Sequence, residues 1–220
     1  EVDVLYTDLE KAFDKIPHEK LLYKLERYKV HKQILKWIKN YLKDRTFRVR
    51  LNGEHSEALR VESGVPQGSV WRTLLFLIYI NDICTVCENM FLFADDAKIF
   101  KVLSSKDDCS RLQNDISRVV EWFNRWQMQV NIGKCCLLHV GGKHFINKYH
   151  LIDLDGTTCE IPTIESVSDL GIIMDSKLQF KEHILSRVKK ANMMLGIIAR
   201  NFRKLSDEAF ITLYKALVRS

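Results

Sequence analysis

Three prolines and nine glycines in 220 residues are too few for a linker-rich or collagen-like chain. Long apolar runs are also missing. The longest, Leu74 to Ile80, falls far short of the roughly 18 residues that a membrane-spanning helix needs, so no membrane partner is expected. No basic segment followed by an apolar one opens the chain, which points away from secretion and toward an intracellular protein, nuclear or cytoplasmic. The six cysteines are not spaced for zinc. Cys84 and Cys87 form a lone CxxC without a second pair at finger spacing, and Cys135 and Cys136 are adjacent, so reduced, partly buried thiols are expected. What is present is 46% hydrophobic and 28% charged residues, enough for a buried core and incompatible with disorder as the main state. Lys and Arg number 34 against 28 Asp and Glu, a net +6 that favours a polyanionic partner without requiring one. An apolar strand pattern begins directly after Glu1, and the chain reads as a piece of something longer.

Val2, Val4 and Tyr6 alternate with Asp3, Leu5 and Thr7, which predicts a largely buried strand running into Asp8. Amphipathic helices are expected over Lys20 to Tyr28 and Lys32 to Leu42, and a hairpin around the turn pair Asn52-Gly53. After the turn-rich loop Ser63 to Gly68, a buried helix should begin at Ser69 and end near Cys84. A second hairpin is expected from Met90 to Leu103 with Ala94-Asp95-Asp96 at its tip, followed by a long helix from Ser105 to about Trp126. Short strands are expected at Met128 to Val130 and Cys136 to Val140, and a hairpin around Asp155-Gly156. The pattern becomes helical beyond Asp175, over roughly Lys181 to Phe202 and Asp207 to Arg219, and the domain boundary is expected there.

Asp8 closes a buried strand, and Asp95 and Asp96 cap a hairpin. If those strands are neighbours, three carboxylates converge on one sheet edge, where their mutual repulsion calls for divalent cations. Two cations about 4 Å apart on such a site activate a hydroxyl and stabilise a leaving phosphate oxygen. Taken singly, Asp8 reads first as a helix N-cap and Asp95-Asp96 as a solvated turn.

The order of the segments decides between these readings. Tyr6-Thr7-Asp8 with Ala12-Phe13-Asp14, then Ser63-Gly64-Val65-Pro66-Gln67-Gly68-Ser69, then Phe93-Ala94-Asp95-Asp96, resemble motifs A, B and C of reverse transcriptases of the non-long-terminal-repeat retrotransposon class, jockey-like or LINE-like. Trp126 to Cys135 resembles motif D, and Asp169 to Ile172 resembles motif E. The resemblance implies an α+β polymerase palm, an antiparallel sheet backed by helices over residues 1–174, and a partial helical thumb over 175–220. It implies that Asp8, Asp95 and Asp96 bind two Mg2+ ions, with Mn2+ as a possible substitute. Phe13 would be the aromatic gate that rejects ribonucleotides; as a residue it reads equally as a core aromatic. Pro66, Gln67 and Gly68 would lie against template and incoming nucleotide. Lys134 would protonate the leaving pyrophosphate, and Leu170-Gly171 would be the primer grip. The implied partners are an RNA template, a DNA primer and deoxynucleoside triphosphates, with Lys181, Arg187, Lys189, Lys190, Arg200, Arg203 and Lys204 meeting the duplex backbone.

Trp71-Arg72-Thr73 stands where the family usually has Leu-Gly-Pro, placing bulk and charge beside the template loop. The fingers segments expected upstream of motif A are absent from this sequence. The expectation is therefore a fragment or decayed copy of an RNA-directed DNA polymerase, and the alternative is a non-catalytic nucleic-acid-binding or interaction module that keeps the palm.

Overall fold

The computed structural model describes residues 1–66, 68–142, 144–153, 156–202 and 204–219, so the expectations placed on Gln67, Asp155 and Arg203 lie outside the described residues. The chain divides into two compact units, Glu1–Ile164 and Glu165–Ser220.

In the first unit, β1 (Val2–Thr7) leads through a tight turn into α1 (His18–Arg27) and α2 (Lys32–Leu42). A two-stranded arm follows, built from β2 (Thr46–Phe47), β3 (Arg50–Leu51), β4 (Glu54–His55) and β5 (Leu59–Arg60), and then α3 (Val70–Ile80). β6 (Met90–Phe93), β7 (Asp96–Val102), α4 (Lys106–Arg125), β8 (Cys136–Val140), β9 (His150–Ile152), β10 (Thr158–Glu160) and β11 (Thr163–Ile164) complete it. Local chemistry sets several of these boundaries. The Ser69 hydroxyl accepts the Arg72 N–H at 3.2 Å and starts α3, and the Asp108 carboxylate reaches back to the Ser105 N–H at 2.9 Å to start α4. At the tip of the arm Asn52 and Gly53 both have positive φ, as the tight hairpin turn predicted there requires.

Five strands form the main sheet in the order β11-β8-β1-β7-β6. β1 runs antiparallel to both β7 and β8, and β6 antiparallel to β7, but β11 joins β8 in parallel. The sheet is therefore mixed where a wholly antiparallel one was expected. The excursion through β9 and β10 is long enough to return the chain in the same direction, which a short hairpin cannot do. Met128 to Val130 also differs from expectation. It makes a single bridge, Val130 to Leu9, and the Glu10 N–H donates to the Gln129 carbonyl at 2.8 Å. Gln127, at φ +55°, turns the chain straight out of α4 and leaves too little length for a strand.

The buried face of β1 carries Asp3, Leu5 and Thr7, whereas Val2, Val4 and Tyr6 are half-buried. Each buried polar group has partners: the Thr7 hydroxyl donates to the Ala97 carbonyl at 2.8 Å, and Asp3 accepts from His139 and Tyr149. Leu5 shares one core with Phe76, Leu112, Ile116 and Phe123, while α4 packs on β7 and β9. Each of these large side chains contributes about 1.5–3 kcal/mol by leaving water.

Lys24 takes an apolar position of α1 and is 3% exposed. Its ammonium lies 3.8 Å from the Trp126 ring centroid and 4.4 Å from that of Trp122, donates to the Tyr79 carbonyl at 2.5 Å and pairs with Asp82. Burial lowers its pKa from 10.5 to about 8 against the opposing pull of Asp82. Below pH 8 the folded chain carries the full desolvation cost of the charged form. Between pH 8 and 10.5 the unfolded chain binds the proton that the folded chain has released, so this group makes stability rise with pH across that window. Urea unfolding of the wild-type chain and of Lys24→Met through this range should show that rise in their difference and no such rise from the variant's position 24.

The second unit contains β12 (Ser166–Asp169), β13 (Ile172–Asp175), α5 (Lys181–Asn201), α6 (Asp207–Leu213) and a π-helical stretch, Tyr214–Val218. The unit begins upstream of Asp175, because β12 and β13 pair with each other outside the main sheet and β13 packs on α5. The Asp175 carboxylate accepts the backbone N–H groups of Gln179, Phe180 and Lys177, which lead the chain into α5 and hold its carboxyl below the ordinary carboxylate range. No helix among the described residues is long and apolar enough to cross a membrane.

Candidate active site

The strand registers carry the predicted carboxylates to one end of the main sheet. Thr7 pairs with Ala97 at the last rung between β1 and β7, so Asp8 and Asp96 are the next residue on each strand beyond that pair. Phe93 pairs with Asp96, leaving Ala94 and Asp95 as the two-residue turn between β6 and β7. Asp8 and Asp95 are half-buried and Asp96 is exposed. Ala94 holds φ +53°, a left-handed conformation costly for a residue with a Cβ, so the Asp95 turn is strained. Among the described residues no three His, Cys, Asp or Glu side chains are drawn close enough to hold a metal ion by themselves.

The segment after α4 wraps the end of β1 and fixes Asp8. The Asn131 N–H donates to the Asp8 carbonyl at 2.8 Å, and the Lys134 ammonium stands 3.4 Å from the Asp8 carboxylate. With side chains 67% and 36% exposed, that pair adds little stability, and it leaves Lys134 able to move. Cys135 lies behind it, its thiol pushed up to about 11 by burial and by the charge of Asp8.

The turn after Asp8 is docked on the loop before α3. The Val65 N–H donates to the Phe13 carbonyl at 2.9 Å and the Gly64 N–H to the Ile16 carbonyl at 2.8 Å, while the His18 ring meets the Gly64 carbonyl at 2.7 Å. Gly64 has φ +85°, and a Cβ there would fall 2.6 Å from the Asp14 carbonyl oxygen. Gly68 also has a positive φ, +76°, but a Cβ there would meet nothing within 4 Å. The close backbone approach is therefore at Gly64, which the sequence displayed only as one letter of the loop. Gly64→Ala should cost about 2–3 kcal/mol through strain and collision together, and Gly68→Ala about 1 kcal/mol through conformation alone. Urea midpoints of the two variants check this difference.

Phe13 stacks on Phe76 with ring centroids 4.2 Å apart. On Phe13 lies the guanidinium of Arg72, 4.8 Å from the ring centroid and 3.4 Å from the Asp14 carboxylate. The extra bulk expected from Arg72 is thus placed over the aromatic ring, with one guanidinium nitrogen buried and without a hydrogen-bond partner among the described residues. Trp71 packs on Trp37 at 5.1 Å. Pro66 is half-buried beside this turn, and its carbonyl accepts from the Ser69 hydroxyl at 3.2 Å. Leu170 and Gly171 belong to the second unit, where both have positive φ at the tip of the β12–β13 hairpin and Arg187 of α5 donates to the Gly171 carbonyl. All six cysteines are free, with Cys84 exposed and Cys87 buried.

A family profile described as "Reverse transcriptase (RNA-dependent DNA polymerase)" matches residues 4–195. The chain is 31% identical over 234 residues to the RNA-directed DNA polymerase from mobile element jockey of Drosophila funebris, covering 97% of this chain and 24% of that protein. It is 30% identical to the jockey polymerase of Drosophila melanogaster, again over 24% of that protein's length. Among solved structures it is similar to apo telomerase from Candida tropicalis truncated from the C-terminal domain, with a TM-score of 0.54 and 14% identity over 82% of this chain and 35% of that one. Telomerase from the same organism in complex with a fragment of telomeric RNA is similar over 99% of this chain and 37% of that chain, at a TM-score of 0.51 and 12% identity.

Proposed function

The chain belongs to the reverse transcriptase (RNA-dependent DNA polymerase) family, and we propose that it carries the catalytic palm of an RNA-directed DNA polymerase that extends a DNA primer with deoxynucleotides by a two-metal mechanism. The chain spans about a quarter of the length of the jockey relatives, 24%, so the activity belongs to a larger polymerase of which these residues are one part. The observation that carries the reading is the register of β1, β7 and β6, which brings Asp8, Asp95 and Asp96 to one end of the sheet.

Three carboxylates are the hard oxygen donors that suit Mg2+, with Mn2+ able to substitute. Lys134 already sets a positive charge beside Asp8, which supports this as a place where a cation is favoured. Asp8, Asp95 and Asp96 would hold the two ions, which when bound make the primer 3′-hydroxyl a better nucleophile and stabilise the departing pyrophosphate oxygen. Lys134 would leave Asp8 and deliver a proton from Nζ to the leaving group. Phe13, fixed between Phe76 and Arg72, would present a rigid wall against a ribose 2′-hydroxyl. Pro66 and Gly68, with Gln67, would line the template and nucleotide side. In the second unit Leu170-Gly171 would grip the primer, and α5 with its basic residues would serve as a partial thumb.

The test is extension of a DNA primer on an RNA template by protein that contains this chain. Activity that requires Mg2+ or Mn2+, is abolished by a chelator and depends on Asp8 is the expected outcome. Extension that survives Asp8→Asn would overturn the reading.

A further inference from the structure

Among the described residues one buried side-chain nitrogen or oxygen has no hydrogen-bond partner, Nη1 of Arg72. Buried polar atoms are nearly always paired, and a guanidinium cannot escape the cost by giving up its proton, so the exception points to a ligand. The rest of the Arg72 seat is loose. Nη2 reaches the Asp14 carboxylate at 3.4 Å, long for a hydrogen bond, and Asp14 is half exposed where it lines a groove of about 610 Å³. The Phe13 ring, its centroid 4.8 Å from the guanidinium carbon, attracts the cation without using any of its donors. The Arg72 N–H donates to the Ser69 hydroxyl in the first turn of α3, so the backbone of Arg72 is anchored while its fork is not. Position 72 is also one where this chain departs from the family pattern, and the seat is therefore particular to this chain.

We propose that Arg72 binds a phosphate of the incoming nucleoside triphosphate, exchanging Asp14 for it while keeping its place over Phe13. The identity of the ligand rests on the polymerase reading. A guanidinium presents paired N–H groups that match two oxygens of one phosphate, a better partner than one carboxylate oxygen at 3.4 Å. The turn that leaves Asp8 carries Phe13 and Asp14, and the Val65 N–H fastens it to the loop before α3, so the cation stands against the same turn as a proposed metal ligand. A rotation that keeps the guanidinium over the ring turns Nη1 out to the ligand and frees Asp14 to water. Freeing a half-exposed carboxylate costs little. Asp14 and the nucleotide thus compete for Arg72.

Equilibrium titration of the 220-residue chain in Mg2+ with a 2′-deoxynucleoside triphosphate fluorescent on its base tests the contact, and circular dichroism confirms the fold of each variant. Arg72→Gln should weaken binding by about tenfold to a hundredfold, the range of a charge-assisted hydrogen-bonded pair. Arg72→Lys should recover part of that loss, because it restores the charge without the fork. Asp14→Asn should act in the opposite direction and tighten binding several-fold by removing the competitor, and this gain should vanish when Arg72→Gln is also present. The same nucleoside without phosphates should not distinguish wild type from Arg72→Gln. Triphosphate bound no more tightly by wild type than by Arg72→Gln overturns the proposal. Asp14→Asn weakening binding as Arg72→Gln does also overturns it, and makes the pair a structural tie of the turn. The polymerase reading fails separately, by primer extension that survives Asp8→Asn, a result that leaves the Arg72 dependence of triphosphate binding where the titration puts it.

Discussion

Asp95→Asn is expected to lower RNA-templated primer extension by about a thousandfold while leaving the protein folded. Asn has nearly the shape of Asp and is equally at home in a turn, and Asp95 sits half-buried in the two-residue turn between β6 and β7. On the proposed mechanism, the substitution removes one negative charge from the three carboxylates that would neutralise the cations. Stabilisation of charge developing at a transferring phosphoryl group is worth several kcal/mol, and losing one preorganised partner in such sites costs on the order of a hundredfold to a thousandfold. Lys134→Ala should cost less, about a hundredfold, because water can supply the proton that Nζ would deliver on this reading. Single-turnover extension measures both losses, and an unfolding free energy within about 0.5 kcal/mol of wild type separates a chemical defect from a folding one. Activity of Asp95→Asn within tenfold of wild type would remove this carboxylate from the reaction.

Asp3→Ala should be the most damaging change to the fold, at about 3–5 kcal/mol. Asp3 is 1% exposed and accepts from His139 Nδ1 at 2.5 Å and from the Tyr149 hydroxyl at 2.6 Å, joining β1 to β8 and to the residue that leads into β9. Removing it leaves a half-buried imidazole nitrogen and the buried Tyr149 hydroxyl without their shared acceptor. Tyr149→Phe, which deletes only the hydroxyl, should cost about 1 kcal/mol. The same cluster makes stability pH-dependent. Burial alone would lower the pKa of His139, but its hydrogen bonds to Asp3 and the Gly142 carbonyl, with the nearby carboxylate charges, hold it above the ordinary 6.5. The folded chain therefore binds this proton more tightly than the unfolded chain. The contribution is complete below pH 6.5 and is lost as pH rises through the folded-state value. Urea unfolding should show wild type losing stability across that interval and His139→Gln losing none from this source.

Much of the fold was legible because local signals and tertiary structure agree. The Asn52-Gly53 turn, the Ser69 and Ser105 helix starts and the Ala94-Asp95 hairpin are each specified by a few adjacent residues. The face of β1 was not legible. An apolar count makes Val2, Val4 and Tyr6 the interior, yet Asp3 and Thr7 go inward because partners remote in sequence, at positions 97, 139 and 149, satisfy them. Lys24 was hidden in the same way, since three aromatic rings and Asp82 make an interior tolerable for an ammonium. The parallel addition of β11 depends on the path of a long excursion, which no periodicity encodes. At the candidate site the motif letters named the carboxylates, but the close approach at Gly64 and the seating of Arg72 over Phe13 follow from packing alone.

The central claim is that Asp8, Asp95 and Asp96 form one cation site. Anomalous scattering from crystals of the chain grown with Mn2+ tests it most directly. The account predicts Mn2+ bound by Asp8 together with the Asp95-Asp96 turn, with the Lys134 ammonium displaced from Asp8 and the signal lost in Asp8→Asn. Absence of Mn2+ at Asp8, or a site that Asp8→Asn leaves fully occupied, would contradict it.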